Sequence, residues 1–99
     1  MCRAGYVETI RAVGLTAGKK ATRTVREEWP AIGVIEIDQR LVEHAAELTI
    51  DLDLRSLDAL HLAAALVLPR EDLVIATWDR RLHAAARTSG LPVLPDTIP

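Results

Sequence analysis

The segment LDALHLAAALVL, residues 57–68, constrains the fold of this chain more than any other stretch of its sequence. Its residues are apolar on nearly every side of a helix, and a helix of that kind is normally buried. We expect Ser56 to be its N-cap residue, because serine is favoured at that position, and Pro69 to end it. The sequence therefore predicts a core built around this helix.

The residues after this helix predict two strands joined by a further helix. Residues 73–77 form a short continuous apolar run, which is typical of a strand covered on both faces. Asp79 is expected to cap a helix over residues 80–89, and Gly90 to end it as a C-cap. Residues 91–94 predict a last strand at the edge of the sheet, since their proline excludes a central position.

The first half of the chain predicts three helices and one short strand. Apolar residues recur at helical spacing over residues 3–13, where Gly14 closes the run, and again over residues 18–28. Residues 32–37 form a β-rich stretch that predicts a strand. The third helix follows this stretch.

Asp38 is expected to cap the third helix, over residues 39–48, and residues 49–53 predict a loop. The face of this helix that we expect to be buried carries Leu41, Val42, Ala45, Ala46 and Leu48. The predicted order of elements is α-α-β-α-α-β-α-β. Strands separated by helices favour a mainly parallel sheet flanked by helices, which is an α/β fold.

Composition limits the chain to one small globular domain. Its 99 residues are 49% apolar and 26% charged, an ordinary balance for a folded protein. The net charge of −2 disfavours a protein that only binds nucleic acid, although an enzyme needs only a local basic rim. Cys2 is the only cysteine, which excludes an intrachain disulfide and fits a reducing, cytoplasmic setting. No apolar run reaches the ~18 residues of a membrane span, so we expect a soluble protein.

The positions of three acidic residues are compatible with either a structural role or a role in ligand binding. Asp79 follows the predicted strand at residues 73–77, and ligands of α/β sheets gather beyond the carboxyl ends of strands; a plain N-cap is the alternative, and the roles are compatible. Asp58 lies in the first turn of the buried helix, where the helix dipole or a bound cation explains it. Glu8 lies on a polar helix face, which explains it on its own. Together, carboxylates without a Cys or His shell favour Mg²⁺ or Mn²⁺ and metal-assisted attack on a phosphodiester.

The histidines do not predict a second site. His44 is expected on an exposed helix face, and His83 lies on the last predicted helix. His61 follows Asp58 by one turn and is able to face the same crevice, but a packed or solvated histidine is the simpler interpretation. None has the spacing of a zinc motif. The chain also lacks a glycine-rich phosphate loop.

Two segments resemble the second half of a PIN domain: LRSLDALHLAAAL, residues 54–66, and LVIATWDRRLHAAARTSGLPVL, residues 73–94. The stretch RAGYVETIRAV, residues 3–13, is similar to the second helix of that family, which carries its second acid. The resemblance covers residues 3–95 and rests on the order and interval of DALHLAAA and ATWDRRL. It implies a single PIN-like domain over residues 1–99 with three layers, α/β/α.

The resemblance also implies a metal-dependent endoribonuclease of the VapC-like toxin group, held inactive by a cognate antitoxin protein. By motif match, the catalytic acids and the ligands of Mg²⁺ or Mn²⁺ would be Glu8, Asp58 and Asp79. Thr77 corresponds to a hydroxyl residue that often supports the last of these acids. Arg80 and Arg81 would contact phosphates of the RNA substrate at the rim.

The chain departs from the family pattern at its start. A complete PIN domain opens with an apolar strand that ends in an aspartate, a principal metal ligand, and that strand lies in the middle of the sheet. The resemblance begins after this strand and the first helix, so it implies an N-terminally truncated domain. Three explanations are open: the true start lies upstream, another chain fills the gap by swapping or rearrangement, or the gene is a decaying remnant. A homodimer is the expectation. A second function stays open: a catalytically inactive protein that acts only through antitoxin binding or self-association.

Overall fold

Four helices and two short strands make up the fold in this computed structural model, which describes residues 1–98. The elements in chain order are α1 (Ala4–Glu28), α2 (Gln39–Asp51), α3 (Ser56–Leu66), β1 (Ile75–Ala76), α4 (Arg80–Thr88) and β2 (Val93–Leu94). Single 3₁₀ turns at Trp29–Ala31 and Arg70–Asp72 follow α1 and α3. Within the described residues, no helix is long and apolar enough to cross a bilayer.

Helix α3 lies in the centre of the core, as its apolar sequence predicts. Ala59, Leu62 and Ala63 on this helix are 0% exposed. The small alanine side chains allow a close approach of neighbouring helices, and α2 packs along α3 with its buried residues Leu41 and Leu48. Helices α1 and α4 also contact α3. The other three helices therefore pack against α3, while Ser56 and Leu57 at its start are exposed.

β1 and β2 form a parallel pair, and the chain crosses from one to the other through α4. The N–H groups of Ile75 and Thr77 donate to the carbonyl oxygens of Pro92 and Leu94 at 2.8 and 3.0 Å. Parallel strands need such a crossover because the second strand must start at the same end as the first. The predicted α/β class with a short parallel sheet among helices is confirmed.

The β-rich stretch over residues 32–37 does not form a strand, contrary to the sequence prediction. Only Ile35 pairs, in an isolated parallel bridge with Cys2. Its N–H donates to the Met1 carbonyl at 2.6 Å, and its carbonyl accepts from the Arg3 N–H at 3.0 Å. The ladder stops after this pair because the chain enters α1 directly after Arg3.

β1 is shorter and less covered than the strand predicted over residues 73–77. Only Ile75 and Ala76 form the ladder with β2, and Val74 is 57% exposed. Among residues 1–98, β2 is the one strand that pairs with β1. The prediction of a strand covered on both faces is therefore wrong, since Ile75 is half-buried and Ala76 is exposed. The edge of β1 opposite β2 has no neighbouring strand in the described part of the chain.

Helix α1 continues past Gly14, where the sequence predicts its end, and changes direction at Gly18. A glycine inside a helix costs only about 1 kcal/mol, so the turns around Gly14 keep their hydrogen bonds. Gly18 has φ 84° and ψ −172°, a conformation that other residues rarely adopt. It separates two helical segments that correspond to the two predicted helices.

Helix α2 starts as predicted but continues to Asp51, so the first part of the loop predicted over residues 49–53 is helical. Its N-cap contact is confirmed, since Asp38 Oδ1 accepts from the Leu41 N–H at 2.9 Å. Two residues of the predicted buried face are exposed instead, Val42 and Ala46. The side of α2 that faces α3 is thus narrower than the apolar pattern indicates.

Helix α3 begins at Ser56, so this serine is not the predicted N-cap. Arg55 occupies the cap position in extended backbone, with φ −66° and ψ 152°, and its side chain makes no cap hydrogen bond. The helix ends at Leu66, ahead of Pro69. The cap position places Arg55 beside the first-turn acid Asp58, where the candidate site begins.

Candidate active site

Asp79 connects the end of β1 to the start of α4. Its Oδ1 accepts a hydrogen bond from the Leu82 N–H at 2.9 Å, which confirms the predicted N-cap. Its own N–H donates to Thr77 Oγ1 at 3.1 Å, so this hydroxyl fixes the turn that carries the acid. The cap uses one carboxylate oxygen of Asp79 and leaves Oδ2 for a second partner.

Arg55 is that partner, and it links Asp79 to Asp58. Its Nη2 donates to Asp79 Oδ2 at 2.5 Å, and its Nε donates to Asp58 Oδ2 at 3.2 Å. The Asp58 and Asp79 side chains are 19% and 35% exposed, and that of Arg55 is 64% exposed. We refer to Asp58 and Asp79 as the bridged acid pair. Arg55 is not among the site residues predicted from the sequence, although its spacing of three residues from Asp58 is a known ion-pair spacing in helices.

The electrostatics of the cluster favour the charged forms of Asp79 and Arg55. The Leu82 N–H and the positive charge of Arg55 lower the pKa of Asp79 below its ordinary value, and the N–H is the larger cause. The hydrogen bond with Asp58, followed by the charges of the two acids, raises the pKa of Arg55. Asp79 is therefore ionised at neutral pH, which suits a cation ligand and does not suit a proton donor.

Glu8 contacts His61 rather than the bridged acid pair. The His61 Nε2 lies 2.9 Å from Glu8 Oε1, within hydrogen-bond distance, and this contact joins α1 to α3. His61 and Asp58 are three residues apart on α3, so they lie on the same side of that helix. The structure thus brings two of the three predicted acids together and connects the third to the same helix through a histidine.

The bridged acid pair suits a Mg²⁺ or Mn²⁺ ion because both carboxylates already converge on a cationic group. In the described residues, no group of three or more His, Cys, Asp or Glu side chains is placed to hold a metal. Magnesium sites commonly use one or two carboxylates, with waters and substrate phosphates as the other ligands. Two carboxylates therefore meet the requirement, whereas Glu8 has to leave His61 before it joins them.

Basic and aromatic side chains surround the turn that carries Asp79. Arg80 and Arg81 follow it as the first residues of α4, and both are exposed. Trp78 precedes it and is 73% exposed, an aromatic surface of the kind on which nucleic-acid bases stack. Trp78 has no predicted role, because the exposure of its side chain is not visible in the pattern of residues.

The other two histidines have structural environments away from the bridged acid pair. His83 is buried, and its Nε2 lies 2.6 Å from the Pro95 carbonyl oxygen, so it holds the C-terminal segment against α4. His44 is half-buried and lines a cavity of about 640 Å³ between α2, α3 and residues 34–38. The prediction of an exposed helix face for His44 is therefore wrong.

Residues 1–88 match the PIN domain family. Ribonuclease VapC45 of Mycobacterium tuberculosis (strain CDC 1551 / Oshkosh) and Ribonuclease VapC49 of Mycobacterium tuberculosis (strain ATCC 25618 / H37Rv) are each 40% identical to the chain over 75 residues, which is 76% of this chain and 52% of each relative. Ribonuclease VapC46 of the latter strain is 33% identical over 87 residues, 88% of this chain and 65% of that relative. The chain thus spans about half the length of the first two relatives. No solved structure matches it.

Proposed function

Because the chain belongs to the PIN-domain family, we propose that it is a metal-dependent endoribonuclease and the toxin of a toxin–antitoxin pair. The three relatives reported above are named as VapC ribonucleases, and two of them are 40% identical to this chain over 76% of its length. Their names support cleavage of RNA as the reaction.

The observation that carries this proposal is the convergence of Asp58 and Asp79 on one guanidinium. The two acids come from different segments, the first turn of α3 and the turn after β1, and their carboxylates repel each other unless a cation lies between them. An RNA phosphodiester is also anionic, so its approach to two carboxylates needs positive charge at the same place. A site for a divalent ion meets both requirements.

We assign the ligand roles to the acids of this chain. A Mg²⁺ or Mn²⁺ ion, when bound, would activate a water molecule and offset the charge of the scissile phosphodiester. Asp58 and Asp79 would hold the ion through carboxylate oxygens, and Thr77 would keep Asp79 in place through the turn. Glu8 is proposed as the third catalytic acid and metal ligand, on the side of α3 that carries Asp58. Carboxylate oxygens suit both ions, so the residues do not select between them.

The proposed substrate is single-stranded RNA that approaches the turn after β1. Arg80 and Arg81 would contact its phosphates, since guanidinium groups suit phosphate oxygens. Trp78 offers a face for a base near the scissile bond. The proposed location is the cytoplasm, where such an RNA is present and where the lone Cys2 stays reduced.

The proposed protein partners are a cognate antitoxin and a second copy of the chain. The edge of β1 opposite β2 has no neighbouring strand in the described residues, and an open edge is a common place for pairing with another chain. A homodimer through this region would cover the exposed Val74. Measurement of the oligomeric state in solution tests this pairing.

A second candidate function is a catalytically inactive protein that only binds an antitoxin or itself. The observation in its favour is the absence, within residues 1–98, of a group of three acids placed to hold a metal. It predicts antitoxin binding without RNA cleavage in any divalent ion. The first function predicts both antitoxin binding and RNA cleavage.

Cleavage of a mixed RNA pool by the purified chain tests the choice. The reaction is run in Mn²⁺ and in Mg²⁺, with an excess of chelator and with Asp58→Asn as controls. We expect cleavage that both controls abolish and that added metal restores in the chelated wild type. A folded protein that leaves the pool intact in both ions would exclude the nuclease and favour the inactive binder.

A further inference from the structure

We infer that Arg55 and a divalent ion compete for the bridged acid pair, so that the guanidinium is a built-in substitute for the ion in the metal-free protein. This inference rests on the proposed function, because it assigns the metal to Asp58 and Asp79. It adds a residue that the family resemblance does not place in the site. Arg55 is a positioning residue in this scheme, since it acts through the two carboxylates.

The competition follows from which oxygen atoms Arg55 uses. Asp79 Oδ1 is held by the helix cap, so Oδ2 is the oxygen that points to a second partner, and Arg55 Nη2 already lies 2.5 Å from it. On the other acid, Arg55 Nε contacts Asp58 Oδ2 at 3.2 Å. A divalent ion held by Asp58 and Asp79 would take carboxylate oxygens as ligands. The guanidinium and the ion therefore compete for the same two oxygen atoms.

The position of Arg55 in the fold allows it to leave. It lies in the cap position of α3, but its side chain makes no cap hydrogen bond, so the start of the helix does not depend on it. Its guanidinium is largely exposed, and its contacts are the two carboxylates. Exposed ion pairs of this kind are weak and are screened by salt. Displacement therefore leaves the backbone unchanged and moves a flexible side chain into solvent.

The Arg55 guanidinium also has a role in the metal-free protein. Without a cation between them, Asp58 and Asp79 would repel each other and the turn after β1 would lose its link to α3. Arg55 keeps the two carboxylates together and offsets part of their negative charge until an ion replaces it. In the metal-free protein, Asp58 and Asp79 thus stay close together, but their carboxylates are occupied by Arg55.

A titration with Mn²⁺ tests the competition without measuring activity. Free Mn²⁺ is followed by electron paramagnetic resonance on the full chain, as wild type, Arg55→Gln and Arg3→Gln. Arg3 is the matched control, because it is an exposed arginine paired with a different carboxylate, that of Glu36. We expect Arg55→Gln to tighten Mn²⁺ binding by roughly threefold to tenfold, the range for loss of weak exposed ion pairs, while Arg3→Gln stays within about twofold of wild type. Unchanged or weaker binding in Arg55→Gln would overturn the inference.

A second measurement uses the wild-type protein alone. The Arg55 Nε–H resonance is followed by ¹H–¹⁵N NMR while Mg²⁺ is added. Release of Asp58 predicts a shift of this resonance and faster exchange of its proton with water, at the same Mg²⁺ concentration that shifts the Asp79 carboxyl carbon. A resonance that stays unchanged while the carboxyl carbon shifts would also overturn the inference.

The outcomes separate this inference from the proposed function. Wild-type Mn²⁺ binding that is lost in Asp79→Asn but is unaffected by Arg55→Gln leaves the metal site intact and removes only the competition. Absence of Mn²⁺ binding in both the wild type and Arg55→Gln removes the metal site and the competition together.

Discussion

Arg55 Nη2 lies 2.5 Å from Asp79 Oδ2, although the two residues are 24 positions apart in the chain. The contact joins the start of α3 to the turn after β1, so it exists only because α3 and α4 pack together. Asp58 contributes to the same guanidinium from the first turn of α3. The bridged acid pair is therefore a product of tertiary structure, and its chemistry is measurable by changing one member at a time.

The three proposed metal ligands should not contribute equally to ion binding. Asp58→Asn and Asp79→Asn each remove a carboxylate of the bridged acid pair, and we expect Mn²⁺ affinity to fall by roughly tenfold or more in both. Glu8→Gln should weaken binding less, because Glu8 contacts His61 rather than the pair. Calorimetric titration with Mn²⁺ measures all three. A larger loss in Glu8→Gln than in Asp79→Asn would contradict the assignment.

Acid should remove part of the stability that Asp79 provides. Its pKa in the folded protein is lowered, chiefly by the Leu82 N–H and also by Arg55. Its stabilising contribution is therefore complete above the unfolded value of about 3.9 and is lost as the pH falls through the lower folded value. Asparagine also caps helices, so Asp79→Asn removes mainly the charge-dependent part of the stabilisation that Asp79 provides.

We accordingly expect the difference in free energy of unfolding between wild type and Asp79→Asn to be largest near neutral pH and to shrink below about pH 4. Urea unfolding from pH 7 to pH 2.5, followed by circular dichroism, measures this difference. Arg55→Gln should alter the pH dependence less, since the guanidinium is the smaller cause. A difference that grows on acidification would show the opposite sign of the pKa shift.

Much of the fold and part of the site could be predicted from the sequence. The two aspartate caps, at Asp38 and Asp79, were predictable because each side chain acts within its own turn. The buried helix α3 was predictable because its residues are apolar on all sides. The link through Arg55 was not, since it depends on how two helices pack, which no local pattern encodes.

The two wrong strand predictions also arise because local sequence does not encode tertiary contacts. Residues 32–37 have the composition of a strand, but strand formation depends on a partner, and in the described residues only one pair forms, between Ile35 and Cys2. The apolar run at residues 73–77 predicted coverage on both faces, whereas Val74 is exposed. The local sequence indicates whether a segment prefers strand structure, but it does not indicate which other segment pairs with it or covers it.

Two glycines in α1 should respond oppositely to the same substitution. Gly18 has φ 84° and ψ −172°, so Gly18→Ala is expected to destabilise the protein by roughly 1–3 kcal/mol. Gly14 is helical, and an added methyl group would meet only Thr22 Cγ2, at 3.4 Å. Gly14→Ala should therefore stabilise by about 0.5–1 kcal/mol. Urea unfolding of both variants measures the two signs, and equal signs would contradict the kink at Gly18.

The core position of α3 predicts a strong effect at Leu62. This side chain is 0% exposed, so Leu62→Ala should lower the free energy of unfolding by about 2–5 kcal/mol. Leu57 on the same helix is exposed, and Leu57→Ala is the matched control, with an expected loss below about 1 kcal/mol. Chemical unfolding of both variants gives the comparison. Similar losses would mean that α3 is not enclosed.

The central claim, that Asp79 is a catalytic acid of a metal-dependent ribonuclease, is tested most directly by comparing Asp79→Asn with Asp38→Asn. The two aspartates have the same structural role, since each caps a helix by accepting an N–H three residues later at 2.9 Å, and asparagine preserves that cap. Only Asp79 belongs to the bridged acid pair. The measurement is the rate of RNA cleavage in Mn²⁺ by wild type and both variants at equal folded concentration. We predict that Asp38→Asn cleaves at about the wild-type rate and that Asp79→Asn is slower by roughly a hundredfold or more, the usual loss when stabilisation of transition-state charge is removed. Equal rates in the two variants would contradict the catalytic role of Asp79.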